Sequence, residues 1–211
     1  MSEHPKKALL LLATGFEEVE ALTPVDYLRR AGIEVCVAAV DTATAATTAA
    51  ASSQGNGKNV TGSHDITVKA DVLLSELSAK NELSPAAWDA VIAPGGMPGS
   101  ANIAGNSLAC EFLKNMADAE KLICAICAAP AVVLGPLGLL EGRGFTCYPG
   151  FEEKVSKAFW REGRVVVDKN IITSRAAGTA GEFSIAIIAS LLSEDRAKEL
   201  ADSILIIGMN K

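Results

Sequence analysis

At 211 residues the chain has the length of one α/β domain, and 49% hydrophobic residues are enough to build its core; aromatics are only 5%, so that core is mostly aliphatic. A formal net charge of −6 without clustered Lys and Arg excludes a phosphate-tracking surface, so no sequence-specific nucleic-acid binding is expected. No apolar run reaches the ~18 residues of a membrane span, and no membrane partner is expected.

The start, MSEHPKKALLLLA, reads as a first buried strand over Ala8–Ala13 rather than a leader, because no small-residue cleavage site follows the apolar run. A helix is predicted over Glu17–Ala31, with Thr14 and Gly15 in the turn before it, Gly32 after it, and Pro24 expected to distort or restart it. Glu34–Val40 reads as a second strand. Residues 42–62 are small, polar and turn-rich, and are expected to form a mobile insertion loop. Short strands are predicted at 66–69 and at Ala90–Ala93, the latter running into Pro94-Gly95-Gly96. Leu108–Ala119 reads as a helix, Leu122–Ile126 as the most central strand, and Ala129–Leu140 as a helix. A hairpin turns at Asp168-Lys169-Asn170 between Arg164–Val167 and Ile171–Ser174; helices over Gly178–Leu192 and Glu194–Leu205 close the chain. Short apolar runs alternating with helices indicate an α/β fold, a mostly parallel sheet covered on both faces. The whole chain, 1–211, is expected to be a single domain.

Five cysteines, Cys36, Cys110, Cys124, Cys127 and Cys147, are odd in number and set in apolar runs, which suits reduced thiols in a cytoplasmic protein better than a disulfide framework. Cys127 differs from the rest. In LICAICAAPAVVL an apolar strand runs into Cys127, and Ala128-Ala129-Pro130 opens a helix, which is the grammar of a nucleophile elbow. A helix start and free backbone N–H groups favour thiolate, so Cys127 is expected to be an acidic, reactive thiol. Cys124, inside the strand, reads as core; one C-x-x-C without a second ligand pair is a poor zinc signal, and no metal or cofactor is expected.

In a parallel sheet the strand ends open onto one crevice. The turn at Gly95 and Gly96 can therefore point N–H groups toward Cys127, making Gly96 and Ala128 a candidate oxyanion pair. TGFEEVEA places Glu17 and Glu20 three apart on one helix face that can overlook the same crevice. The two histidines are His4 and His64, so the downstream His of most cysteine hydrolases is missing.

Four blocks, LLLLATGFEEVEALTPVDYLRRAGIEV, WDAVIAPGGMPGS, LICAICAAPAVVL and IITSRAAGTAGEFSIAII, resemble in order those of the ThiJ/PfpI superfamily, in particular its DJ-type branch. The resemblance implies a flavodoxin-like three-layer sandwich, a homodimer, and a redox-sensitive cysteine. It also implies deglycation of methylglyoxal-modified groups, glutathione-independent glyoxalase activity and oxidative-stress protection, with small dicarbonyls or glycated groups as substrates. Carried over by position, Cys127 matches the nucleophile, Glu20 the carboxyl that hydrogen-bonds it, and Gly96 and Ala128 the oxyanion donors. Glu17 and Arg30 match polar positions near the pocket and the dimer contact. Three departures stand out. Thr146-Cys147-Tyr148-Pro149 replaces T-x-H-P, so Tyr148 stands where many members carry His. His64 stands where an Arg is frequent beside the pocket, and Ala177 where a Pro is common. A phenol titrates near ~10 and an imidazole near ~6.5, so acid–base work is weakened by the first exchange.

The leading reading is an enzyme, a cysteine-dependent deglycase or glyoxalase. The alternative is a non-catalytic redox sensor or chaperone in which Cys127 is oxidised to sulfinate and Glu20 stabilises that state. A glutamine amidotransferase needs a downstream His, and the peptidase branch carries His directly after the nucleophile, where this chain has Ala128.

Overall fold

The computed structural model describes residues 4–40 and 57–206. Strand β1 (Lys7–Leu12) leads into helix α1 (Glu18–Arg30) and strand β2 (Glu34–Ala39). A hairpin of β3 (Asn59–Thr61) and β4 (Thr67–Lys69) follows, then β5 (Val72–Leu73) and α2 (Leu74–Ala79). Next come β6 (Ala90–Ala93), α3 (Gly99–Ala104), α4 (Ser107–Asp118) and β7 (Leu122–Ile126). Short strands β8 (Gly144–Phe145) and β9 (Phe159–Trp160) precede the β10 (Val165–Asp168) and β11 (Ile171–Ser174) hairpin, and α5 (Ala180–Leu191) and α6 (Glu194–Ser203) end the fold.

The main sheet has seven strands in the order β10-β11-β7-β6-β1-β2-β5, parallel throughout except for β10. Its period-two pattern divides the core. Leu10, Leu12, Ile92, Cys124, Ile126 and Ile172 pack with α1, α5 and α6. Leu9, Leu11, Val91, Ala93, Ile123 and Ala125 pack with α2, α3 and α4. Both faces are covered, which explains why the central strands read as unbroken apolar runs rather than alternating ones. The result is the expected flavodoxin-like three-layer sandwich, with Cys124 fully buried in its core.

Three predicted elements change. The Ala129–Leu140 helix is only one π-helical turn, Pro130–Leu134, closed by Gly135 N–H donating to the Pro130 carbonyl at 2.9 Å. Pro136 has no N–H to continue it, and Gly138 sits at φ +76°, so the chain breaks into turns. Pro24 neither restarts nor ends α1, which runs through it; the proline is buried on the helix's packed face. Of the insertion expected over 42–62, residues 42–56 lie outside the described residues, but its end is ordered. Asn59–Thr61 pairs with Thr67–Lys69, and this hairpin is tied to the turn after β1 by Gly15 N–H to the Thr61 carbonyl and Ser63 N–H to the Phe16 carbonyl, each 2.8 Å.

Candidate active site

Neighbouring parallel strands β1, β6 and β7 are in register, so the loops leaving their C-terminal ends emerge side by side. Those loops carry Thr14–Glu17, Pro94–Gly96 and Cys127–Ala129. Cys127 has φ +64°, a left-handed conformation unusual for a side-chain-bearing residue. The elbow is held from both sides: Cys127 N–H donates to the Ser174 carbonyl at 2.9 Å, and its carbonyl accepts from Tyr148 N–H at 2.8 Å. The strained backbone is thus fixed by its neighbours, as sites of this kind require.

Glu20, on the first turn of α1, is 1% exposed. Its carboxyl group hydrogen-bonds the Cys127 thiol and accepts the N–H groups of Gly95, at 3.1 Å, and Ala177. Gly95 leaves the room for this approach: a Cβ there would run into Glu20 Oε2 and the Cys127 Cβ. Gly96 sits at φ +88°, and a Cβ there would strike the Glu17 backbone. Gly96 and Ala128 N–H groups both reach the Cys127 sulfur. Glu17 caps α1, its carboxylate accepting Glu20 N–H at 2.7 Å, and its own N–H donates to the Gly95 carbonyl at 3.0 Å. The structure therefore brings Cys127, Glu20, Gly95, Gly96, Ala128 and Glu17 together.

Burial raises the Glu20 carboxyl to about 7, with the neighbouring Glu17 carboxylate pushing the same way against the hydrogen bonds it accepts. Burial, and then the Glu20 carboxylate, push the Cys127 thiol up to about 12, against the lowering effect of the Ala128 and Gly96 N–H groups. This corrects the expected acidic thiol: desolvation outweighs the backbone donors, and a single π turn supplies little dipole. The two groups share a proton, and the coupling strongly opposes two negative charges on the pair. Thiolate is favoured only while Glu20 holds the proton. Acidity does not separate Cys127 from the other cysteines either, since burial raises Cys36 to about 11 and Cys147 to about 12 and also raises Cys110 and Cys124. What separates it is a carboxyl partner combined with an opening to solvent: Cys147 also donates to a carboxylate, Glu152 at 4.0 Å, but is fully buried, and Cys36 and Cys110 are partly exposed without a carboxyl hydrogen-bonded to them.

That opening is a cleft of about 190 Å³ lined by Gly96, Met97, Cys127, Ala128, Tyr148 and Phe151. Tyr148 is half exposed and meets Phe151 edge-on, with ring centroids 6.1 Å apart at 86°. Sequence reasoning misses Met97 and Phe151: Met97 follows the Gly95-Gly96 turn inside the WDAVIAPGGMPGS block but offers no polar chemistry to single it out, and Phe151 lies outside every quoted block, so only chain folding brings it to the mouth. Ala177 stands out in the sequence only as a departure, yet its N–H faces Glu20, a bond that the common Pro could not make.

His64 and Arg30 do not join the sulfur. His64 Nδ1 lies 2.8 Å from Glu18 Oε2, His64 N–H donates to Glu18 Oε1 at 2.7 Å, and Ser63 Oγ donates to Glu18 Oε2 at 3.3 Å. Glu18 is itself buried. Burial alone would raise its carboxyl, but the His64 ring and the N–H groups of His64 and Ile66 reverse this and hold it at about 2. The pair pins the β3–β4 hairpin to α1. Glu17, Glu18 and His64 have ligand atoms within 4.8 Å of one another, a spacing that suits a cation, but they surround a helix N-terminus, whose positive potential opposes one. Arg30 is in the last turn of α1, paired with Asp26 at 2.7 Å, ~15 Å along the helix from Glu20 at 1.5 Å per residue.

The DJ-1/PfpI family profile matches residues 6–190. Among curated proteins, DJ-1 homolog A of Arabidopsis thaliana is 37% identical over 97% of this chain and 47% of its own length. DJ-1beta of Drosophila melanogaster is 34% identical over 95% of this chain and 97% of its own. A protein named a deglycase, from Pyrococcus abyssi, is 32% identical over 82% of this chain and 91% of its own. This chain spans about half the length of the two Arabidopsis relatives it matches. Of the solved structures, oxidised Toxoplasma gondii DJ-1 superposes with a TM-score of 0.83 at 35% identity, over 96% of this chain and all of that one. The similarity runs through the sheet and the elbow alike, and the chain belongs to the DJ-1/PfpI family.

Proposed function

We propose that this protein is a cysteine-dependent glyoxalase or deglycase acting on α-oxoaldehydes or their adducts. The supporting observation is Cys127 in a strained elbow at φ +64°, hydrogen-bonded to a buried carboxyl whose proton is lost only near neutrality. One relative points the same way: the archaeal one carries the name deglycase; the Toxoplasma protein, solved oxidised, bears on the redox-sensor reading.

Cys127 Sγ adds to the aldehyde carbon, forming a C–S bond as the carbonyl π pair moves to oxygen, where Gly96 and Ala128 N–H groups are placed to receive it. The thiol proton ends on that oxygen by way of Glu20. Glu20 carboxylate then takes the C–H proton of the hemithioacetal, whose electron pair passes to the adjacent carbonyl to give an enediolate; the proton returns to that second carbon, and the hydroxyl proton of the first oxygen passes to the second, leaving a thioester beside a hydroxyl. The first carbon is oxidised and the second reduced within one molecule, so no external oxidant is needed. Water cleaves the resulting thioester, releasing the hydroxy acid and the thiol; methylglyoxal gives lactate. Tyr148 lines this path as a hydrogen-bond donor.

The redox-sensor reading is supported by the same pair, since a protonated Glu20 can donate to a Cys127 sulfinate. Lactate production from methylglyoxal by purified protein, abolished in Cys127→Ala, selects the enzyme; no lactate, with sulfinate forming at Cys127, selects the sensor. The proposal includes a single-domain homodimer acting in the cytoplasm under oxidative stress. No helix among the described residues is long and apolar enough to cross a membrane. Val19 and Leu22 stand exposed on α1, at 49% and 38%, and are offered as part of the dimer contact. Light scattering at micromolar concentration is expected to give twice the chain mass; a monomer counts against that contact.

A further inference from the structure

We infer that the preferred substrates are α-oxoaldehydes with an aromatic or comparably bulky apolar substituent rather than methylglyoxal, and that Tyr148, Phe151 and Met97 set this preference. The inference rests on the proposed chemistry at Cys127 and deepens it.

The cleft has two unlike ends. At the sulfur are the two N–H groups and Glu20, which fix where the reacting carbonyl carbon and oxygen sit. The inner side is closed, since Gly95 has no space even for a Cβ between Glu20 and Cys127. The remaining substituent on the carbonyl must therefore point outward, along the cleft. Its lining there is Met97, Tyr148 and Phe151, and among the described residues no charged side chain lines the cleft. Lys154, the nearby cation, is committed to the Phe151 ring, with Nζ 4.2 Å from its centroid. A carboxylate or phosphate on the substrate finds no partner in such a lining.

The volume agrees. A cleft of about 190 Å³ holds roughly six waters at ~30 Å³ each. The methyl group of methylglyoxal displaces few of them, whereas an aryl ring displaces most and meets apolar carbon in return. The Tyr148–Phe151 pair is already edge-to-face, so an incoming ring can stack on one face and meet the other by its edge. Tyr148 also stands where a smaller, chargeable imidazole is frequent, so the exchange that weakens proton transfer enlarges the apolar wall.

Phenylglyoxal and methylglyoxal are the two probes. Turnover is expected to favour phenylglyoxal by about tenfold or more in kcat/KM, equivalent to about 1.4 kcal/mol, mostly through KM. Phe151→Ala is expected to pull the ratio toward one, and Tyr148→His to lower it while changing kcat. Protection of Cys127 from iodoacetamide is measured in parallel. The half-protecting concentrations of the two aldehydes are each referred to hemithioacetal formation with a small free thiol, which removes intrinsic electrophilicity. Phenylglyoxal is expected to protect at about a tenfold lower normalised concentration. Equal normalised protection, or a ratio unmoved by Phe151→Ala, overturns the inference even where both aldehydes turn over. Selective protection without turnover of either supports the aromatic cleft and refutes the enzymatic reading, so the two fail separately.

Discussion

Glu20→Gln removes one proton-binding site from the core and keeps the side-chain shape. In the folded chain the carboxyl holds its proton up to about 7, against an ordinary 4.5, at 1% exposure. That difference corresponds to about 3 kcal/mol set against the buried carboxylate. The folded value is raised, so the contribution to stability is fully present below about 4.5 and is lost as pH rises through about 7. Urea unfolding of the wild type and Glu20→Gln, from about pH 4.5 to about pH 8.5, is therefore expected to show the variant gaining about 3 kcal/mol relative to the wild type across the range. The amide cannot serve both the Gly95 and the Ala177 N–H equally well, but that fixed cost cancels in the pH difference. Titration at His64 and Glu18 cancels as well. On a Cys127→Ala background the slope is expected to persist and to steepen rather than flatten, because burial is the largest cause of the rise and the lost thiol hydrogen bond had lowered the carboxyl. A wild-type-minus-variant difference that stays flat with pH refutes the buried, shared proton and the proton shuttle built on it.

Peroxide is expected to add two oxygens at Cys127 before any other cysteine, as read by peptide mass spectrometry. Cys124 and Cys147 are fully buried, and Cys36 and Cys110 have raised thiols with no carboxyl hydrogen-bonded to them as Glu20 is to Cys127. Oxidation spread evenly over the five would remove the special status of the elbow. Tyr148→His is expected to raise methylglyoxal turnover by about tenfold or more, since an imidazole carries protons near neutral pH and a phenol does not; a slower, folded variant would show that the tyrosine has a role of its own. Glu18→Gln is expected to lower the melting temperature at neutral pH by loosening the β3–β4 hairpin. The Glu18 carboxyl is held at about 2, so its contribution is present above about 4.5 and fades as pH falls through about 2. His64 is raised by the same contact, so the charged pair also weakens as pH rises past the imidazole's raised value. Equal melting temperatures at every pH would mean the hairpin is held by its backbone bonds alone.

The sandwich was legible because its cause is local in sequence. An unbroken apolar run such as Ala8–Leu12 cannot be half-exposed, and β1, β6 and β7 are buried on both faces as that pattern demands. The elbow was legible for the same reason: small residues at 128 and 129 and Pro130 constrain the backbone at Cys127 itself.

What only the tertiary structure decided is how groups distant in sequence meet. The acidity expected of Cys127 followed from its local backbone. The observed rise follows from burial and from Glu20, more than a hundred residues away in the chain. Glu17, Glu18 and Glu20 look alike in the sequence, yet folding assigns them three tasks: one caps α1, one pins a hairpin through His64, and one shares a proton with Cys127. The helix expected after Pro130 shrank to one turn because backbone bonding at Gly135 and Pro136 overrode an apolar pattern. Phe151 reached the cleft only through packing, whereas Met97 follows Gly96 directly in the chain. Side-chain pattern carries the fold because burial is periodic along the chain; desolvation and the pairing of charges depend on three-dimensional neighbours, and so the electrostatics of the site could be decided only by the folded structure.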